Sequence, residues 1–277
     1  MPTRRTRSLV RTALAMATVF TAAVVGANPA AAVADGTPAN PGQYPFAVRL
    51  TMTHIPALDG TYYDSACSGA LISSTWIITA GHCFHDVNRI PVSGPVPYAT
   101  VATLNTAAVG QPARPGHWFD LFDLLAPTPG EVAVVTDVQQ STTSDIALAR
   151  LATPVVDVSP LRLSDSEPAA GEVLTIAGWG ATSGFIPTPS SQLTIGQVTV
   201  QTVNPSTIMM VGSYPAADTS ACLYDSGAPY FRTPASAPPL LVATESTGPN
   251  CPHATPETTA RVDTITGWIK ATVPDLP

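Results

Sequence analysis

The stretch Cys222-Leu223-Tyr224-Asp225-Ser226-Gly227-Ala228-Pro229 sets a serine between an acid and a glycine, downstream of a cysteine and just ahead of a proline. Alone it reads as a turn, because Asp, Ser, Gly and Pro are the ordinary vocabulary of loops. Two upstream segments change that reading. Thr79-Ala80-Gly81-His82-Cys83 supplies a histidine and Ser144-Asp145-Ile146-Ala147-Leu148 an aspartate, in the chain order His, Asp, Ser. A serine hydroxyl at its free pKa is a poor nucleophile. Acyl transfer needs a histidine to take its proton and an acid to hold that histidine's tautomer. Three short segments, far apart in sequence, each supply one of these parts.

Together they resemble the chymotrypsin and trypsin family of serine proteases, over nearly the whole chain after its amino-terminal segment. The resemblance implies Ser226 as nucleophile, His82 as base and Asp145 as the acid that orients it. It also implies an all-β fold of two six-stranded antiparallel barrels with a carboxy-terminal α-helix. The expected units are a signal peptide at 1–32, a first barrel at 33–153 and a second barrel with the helix at 154–277, the crossover falling at Pro154 to Pro160. His82 and Asp145 then come from the first barrel and Ser226 from the second. The chain departs from the family at Tyr224, where the family has a glycine two residues before the nucleophile, and at Ala228, where it has a second glycine.

The pattern along the chain agrees with an all-β architecture. Val33 to Pro45 is rich in turn formers and gives way to the apolar run Phe46 to Leu50. Ala70-Leu71-Ile72 and Trp76-Ile77-Ile78-Thr79 flank a turn at Ser73-Ser74-Thr75, and a short helical turn is expected at Ala80 to Cys83. Further runs lie at Ala99 to Leu104, Glu131 to Val138, Ile146 to Leu151, Glu172 to Ala177, Gly196 to Val203 and Leu240 to Thr244. Short strands punctuated by Gly and Pro indicate a sandwich or barrel. The exception is Val262 to Lys270, where Val262, Ile265, Trp268 and Ile269 recur at helical spacing ahead of Pro274. His82 and Asp145 are 63 positions apart, long for the family, and the excess is assigned to Gly110 to Gly130. The apolar Trp118, Phe119, Leu121, Phe122, Leu124 and Leu125 of that loop either pack on the barrel or contact substrate.

The amino terminus carries Arg4, Arg5, Arg7 and Arg11, then an apolar run from Thr12 to Ala27, then Ala30-Ala31-Ala32. This is the layout of a secretory signal peptide, and the run is shorter than the ~20 residues of a spanning helix. Residues 1–32 hold four of the 12 basic residues and no acid, so the remainder carries eight against 19, a net charge of −11. That balance argues against nucleic acid and anionic membrane surfaces as partners, since both reward Lys and Arg. All four cysteines lie in the exported part, which suits disulfides in an oxidising compartment but leaves three pairings open. The resemblance selects Cys67 with Cys83 and Cys222 with Cys251. A zinc site is not expected, because His82-Cys83-Phe84-His85 has no second cluster with the paired spacing of such a site.

Further roles follow from the resemblance. The amides of Tyr224 and Ser226 form the oxyanion hole. Thr79 and Ser246 match hydroxyls that hydrogen-bond the aspartate, and the glycines of Gly178-Trp179-Gly180 let the backbone turn under the nucleophile loop. Asp225 receives the α-amino group of a mature chain starting at Val33, exposed by cutting after Ala32. A cut after Ala34 fits signal peptidase equally well. Ser220, Ser246, Gly248 and Glu257 line the substrate pocket. The neutral Ser220 at its floor favours small or apolar side chains, whereas Glu257 either attracts Lys or Arg, shrinks the pocket or points to solvent. The expectation is a secreted, extracellular, monomeric serine endopeptidase acting on peptides or proteins without metal or organic cofactor. The alternative is a protease-shaped binding protein disabled at Tyr224.

Overall fold

The computed structural model describes residues 32–104, 131–181, 184, 187 and 189–277. The export segment up to residue 31 and the apolar loop assigned to 110–130 lie outside these residues. The chain enters with β1 (Thr37–Pro38), then builds β2 (Ala47–Pro56), β3 (Tyr62–Ser73), β4 (Trp76–Thr79), β5 (Gly94–Pro95), β6 (Ala99–Leu104), β7 (Glu131–Gln140) and β8 (Ala147–Leu151). Six of these follow the order β7-β6-β2-β3-β4-β8, and pairing of β7 with β8 closes them into an antiparallel barrel, with β5 on its edge. The second half contributes β9 (Arg162–Leu163), β10 (Val173–Gly178), β11 (Thr194–Val203), β12 (Thr207–Tyr214), β13 (Pro229–Arg232), β14 (Leu240–Thr247) and β15 (Glu257–Arg261). Here the order β11-β10-β13-β14-β15-β12 is closed by the β11–β12 pair, while β1 extends the sheet beside β11. A short helix, α1 (Thr266–Thr272), ends the chain, preceded by a 3₁₀ turn at Asp263–Ile265. The fold is the one expected: two closed six-stranded barrels and a carboxy-terminal helix.

Alternation made some strands. In β6 the residues alternate outward and inward, with Thr100, Ala102 and Leu104 buried, the period of a strand with one face in the core. Strands β12, β13 and β15 lie where no strand was expected. β15 reads Glu-Thr-Thr-Ala-Arg, polar by composition, yet four of its five residues are buried. Its register opposite β12 and β14 supplies backbone partners, and its charged side chains find polar partners inside the fold, a compensation that local composition does not reveal. β13 is only four residues long and starts on Pro229, so its hydrophobic signal is short.

The barrels share packing. Phe46 of the first half meets Phe231 of β13 edge to face at 5.2 Å, and Tyr44 meets the same ring at 4.8 Å. Edge-to-face contacts are favoured for aromatic pairs. The helical segment closes over this core through Val262, Ile265, Ile269 and Val273. Val33, by contrast, belongs to a separate core of the second barrel with Ile176, Val198 and Tyr230.

Candidate active site

His82 sits on the 3₁₀ turn Gly81–Cys83, which leaves β4. Two ties hold this turn. Cys83 is joined to Cys67 of β3, with Cα atoms 6.5 Å apart. Gln140, at the end of β7, donates through Nε2 to the carbonyls of Gly81 and Phe84, each at 2.9 Å. Asp145 follows in the β7–β8 turn, and its Oδ1 accepts the His82 backbone N–H at 2.8 Å. Its Oδ2 lies 2.8 Å from His82 Nδ1, and His82 Nε2 lies 2.8 Å from Ser226 Oγ. The three side chains singled out in the sequence are therefore brought into one continuous hydrogen-bonded line. An Nδ1–H directed at a carboxylate leaves Nε2 with its lone pair toward the serine hydroxyl, the tautomer that general-base chemistry needs.

Burial pushes the Asp145 carboxyl up, but hydrogen bonds and charge from His82, with the Ser246 hydroxyl, hold it below the usual aspartate range. Ser246 Oγ donates to Asp145 Oδ2 at 2.6 Å. Expected on both the aspartate and the pocket wall, Ser246 directs its hydroxyl to the aspartate. Thr79 does not share that role. Its Oγ1 donates to the Ser68 carbonyl at 2.7 Å, because β4 pairs with β3 and brings that carbonyl nearer than the aspartate.

The nucleophile loop is pinned to the first barrel through Ser68, a residue the sequence reading missed. Its N–H donates to the Ser226 carbonyl at 2.9 Å, and its Oγ donates to the Tyr224 carbonyl at 3.1 Å. The same Oγ accepts from Trp179 N–H at 3.0 Å. Gly227 lies at φ +82°, and a Cβ there would meet Ala80 N and the Ser68 carbonyl oxygen at 2.5 Å, so the crowding and the left-handed backbone both demand glycine. Tyr224 holds φ +75°. The left-handed conformation open to a glycine is thus adopted here by a residue with a Cβ, at a cost of about 1–2 kcal/mol. Together with Leu223, Cys67, Cys83, His82 and Ser226 it lines a cleft of about 180 Å³ that continues to Met52, Ile55 and Tyr63.

Asp225 is fully buried, its oxygens accepting Gly180 N–H at 2.8 Å and Cys222 N–H at 3.0 Å. Desolvation raises its pKa well above the ordinary value, and among the described residues it forms no ion pair. Gly178 and Gly180 serve this carboxylate by giving it room, since a Cβ on either would overlap it. Neither has a positive φ, so space, rather than the expected turn, is what they supply. Ala34 pairs with Ser220 next to this region, its N–H donating to the Ser220 carbonyl at 3.0 Å.

Residues expected at the substrate pocket lie near one another, His253 joining Ser220 to Gly248 and Glu257. Cys222 and Cys251 are joined, with Cα atoms 5.2 Å apart. Glu257 does not point to solvent: it is 2% exposed. Its Oε2 accepts Ala221 N–H at 3.0 Å and its Oε1 accepts the Tyr230 hydroxyl. Glu245, on β14, brings its Oε2 to 2.8 Å from the same hydroxyl, which has one hydrogen for the two carboxyls to share. Burial pushes the Glu257 carboxyl up to about 7 and Glu245 well above its ordinary range, where proximity to Glu257 adds to the effect. A glutamate directly after the apolar run Leu240 to Thr244 was the available signal for Glu245. Tyr230 and His253 carried none.

Comparison with known proteins agrees with this geometry. The family model described as Trypsin matches residues 33–269. Serine protease 56 of Mus musculus is 26% identical over 258 residues, 86% of this chain, though the match spans only 38% of that protein's length. U21-ctenitoxin-Pn1a of Phoneutria nigriventer is 26% identical over 79% of this chain and 90% of its own. Serine protease SSP1 of Scolopendra subspinipes is 27% identical over 72% of this chain and 68% of its own. With the family model covering most of the sequence and the fold agreeing, the chain belongs to the trypsin family.

Proposed function

We propose that this chain is a secreted serine endopeptidase that cleaves peptide bonds through an acyl-enzyme. The observation that carries the reading is the line from Asp145 through His82 to Ser226, with both side-chain contacts at 2.8 Å. Ser226 Oγ attacks the carbonyl carbon while His82 Nε2 takes its proton, and Asp145 stabilises the imidazolium that forms. The amides of Tyr224 and Ser226 receive the negative charge on the carbonyl oxygen. His82 then returns the proton to the leaving amine, and water repeats the sequence on the ester. Two disulfides and an Arg-rich, then apolar amino terminus support export.

Cutting after Ala32 would free the Val33 amine, and we assign it to Asp225, which is buried and forms no ion pair among the described residues, because such a partner strongly favours a buried carboxylate. For the pocket, the buried Glu257 beside neutral Ser220 supports a preference for Arg or Lys before the cleaved bond. The test of the enzyme reading is a fluorophosphonate label applied to folded, processed protein. Attachment at Ser226, lost in His82→Ala, is expected, and an unlabelled Ser226 would overturn it.

A further inference from the structure

Among the described residues no Lys or Arg reaches the buried acids behind Ser220, of which Asp225 alone is assigned a cation above, the Val33 amine. Glu257, Glu245 and Asp225 are all under 5% exposed. The basic side chains of the second half go elsewhere: Arg232 to Glu172, Arg261 to Glu167 and Asp263, and Lys270 to Asp165, while Arg162 is exposed on β9. Among the described residues, the one ion-pair partner of Glu257 is His253, whose Nε2 stands 3.7 Å from Oε2.

His253 stands among the pocket residues themselves. Its backbone N–H donates to Ser220 Oγ at 3.2 Å, and its ring Nε2 is 3.3 Å from where a Cβ on Gly248 would lie. The same hypothetical Cβ would meet the Glu257 Cβ at 3.1 Å. The imidazole therefore lies against Gly248 and Glu257 while its backbone is held on Ser220, and the side chain is 8% exposed. The open cleft beside Ser226 runs the other way, toward Tyr63 and Arg89, and none of Ser220, Gly248, His253 or Glu257 lines it.

This occupant is poorly held. Its Nδ1 lies 2.8 Å from the Thr255 carbonyl, which fixes the Nδ1–H there. Nε2 is buried with no hydrogen-bond partner among the described residues. A neutral ring would aim a lone pair at a carboxylate, and a protonated one would aim its N–H across a gap too long for a hydrogen bond. The segment that carries it lies outside any strand, with Pro252, Ala254 and Thr255 exposed.

We propose that His253 is a built-in occupant of the cation pocket, standing in for a substrate's basic side chain, which must displace the imidazole to reach Glu257. The proposal rests on the pocket preference given above and adds a self-blocking step to it. Ligand affinity is then reduced by the fraction of molecules with the pocket open, so an open fraction of about one tenth raises the apparent Kd about tenfold.

The probe is 4-aminobenzamidine, an aromatic amidinium, titrated by fluorescence into processed protein. His253→Ala is expected to tighten binding by about tenfold, with His253→Gln tightening it in the same direction without emptying the site. The gain should vanish in the His253→Ala, Glu257→Gln double variant. His253→Gln retains a polar side chain of similar length and decides the matter if His253→Ala unfolds. An unchanged or weaker Kd in the folded variants, or no binding to any of them, overturns the proposal. Fluorophosphonate labelling of Ser226 in the same samples separates that failure from failure of the endopeptidase reading.

Discussion

Tyr224 carries the oxyanion question at the scale of a single residue. Every residue but proline offers an amide, so what matters is whether the backbone can turn, and it does so at φ +75°. Tyr224→Gly relieves about 1–2 kcal/mol of left-handed strain and gives back roughly 0.5–1 kcal/mol through the looser unfolded chain. Urea unfolding should therefore show a change of about 0–1.5 kcal/mol in favour of the variant. Its kcat/KM should stay within about threefold of the parent. A gain of about 10²-fold or more would mean that tyrosine holds the donor out of place. Ser246 is the second residue to test. Its 2.6 Å hydrogen bond to Asp145 is of the charged kind, about 1.5–3 kcal/mol, so Ser246→Ala should lower kcat about 10- to 100-fold with little change in KM. Asp145 is held below its ordinary pKa, so its contribution to stability is present above the ordinary carboxyl range and is lost as pH falls through the folded value.

Strand β15 shows how an element can be polar and interior at once. Glu257 begins it with a carboxyl raised from 4.5 to about 7. A carboxyl raised on folding binds more protons in the native state, so stability is fully present below the ordinary glutamate range and falls as pH rises through about 7. The Glu257 share of the loss should be on the order of 3 kcal/mol, read by urea unfolding at pH 5 and pH 8, and Glu257→Gln should remove that share while the raised Glu245 and Asp225 carboxyls keep a loss of the same sign. The opposite sign holds for cation binding, which needs the ionised acid: preference for Arg over Leu substrates should weaken as pH drops below about 7. The elements that the sequence showed most plainly, such as Ala99–Leu104, place polar residues outward and apolar ones inward. β15 escaped because its acid finds the Tyr230 hydroxyl 27 positions away, a partner that no local window contains.

For the whole molecule, the two barrels meet where the site is made. His82 and Asp145 come from loops of the first and Ser226 from the second, with Ser68 bridging them through its bonds to Ser226 and Tyr224. The proposed export and maturation are tested at this scale. The secreted protein should begin at Val33 by mass spectrometry, with Asp225→Asn reducing turnover by about tenfold or more through loss of a buried ion pair. A mature chain beginning at Asp35 would remove the amine and this mechanism with it. Asp225 is the group to watch, since its burial is complete.

Much of the candidate site was legible in three short motifs, because a serine nucleophile paired with a histidine base and an orienting aspartate is a recognisable set of residue types whatever surrounds them. The strand rhythm and the all-β class were legible for a similar reason: alternation is a property of neighbours along the chain. What tertiary structure alone decided was the state of those groups. It placed Ser246, and not Thr79, on Asp145, turned Tyr224 left-handed and buried Glu257 under Tyr230 with His253 across it. Burial, protonation and hydrogen-bond partners depend on residues that meet only when the barrels close, so no stretch of sequence read by itself contains them.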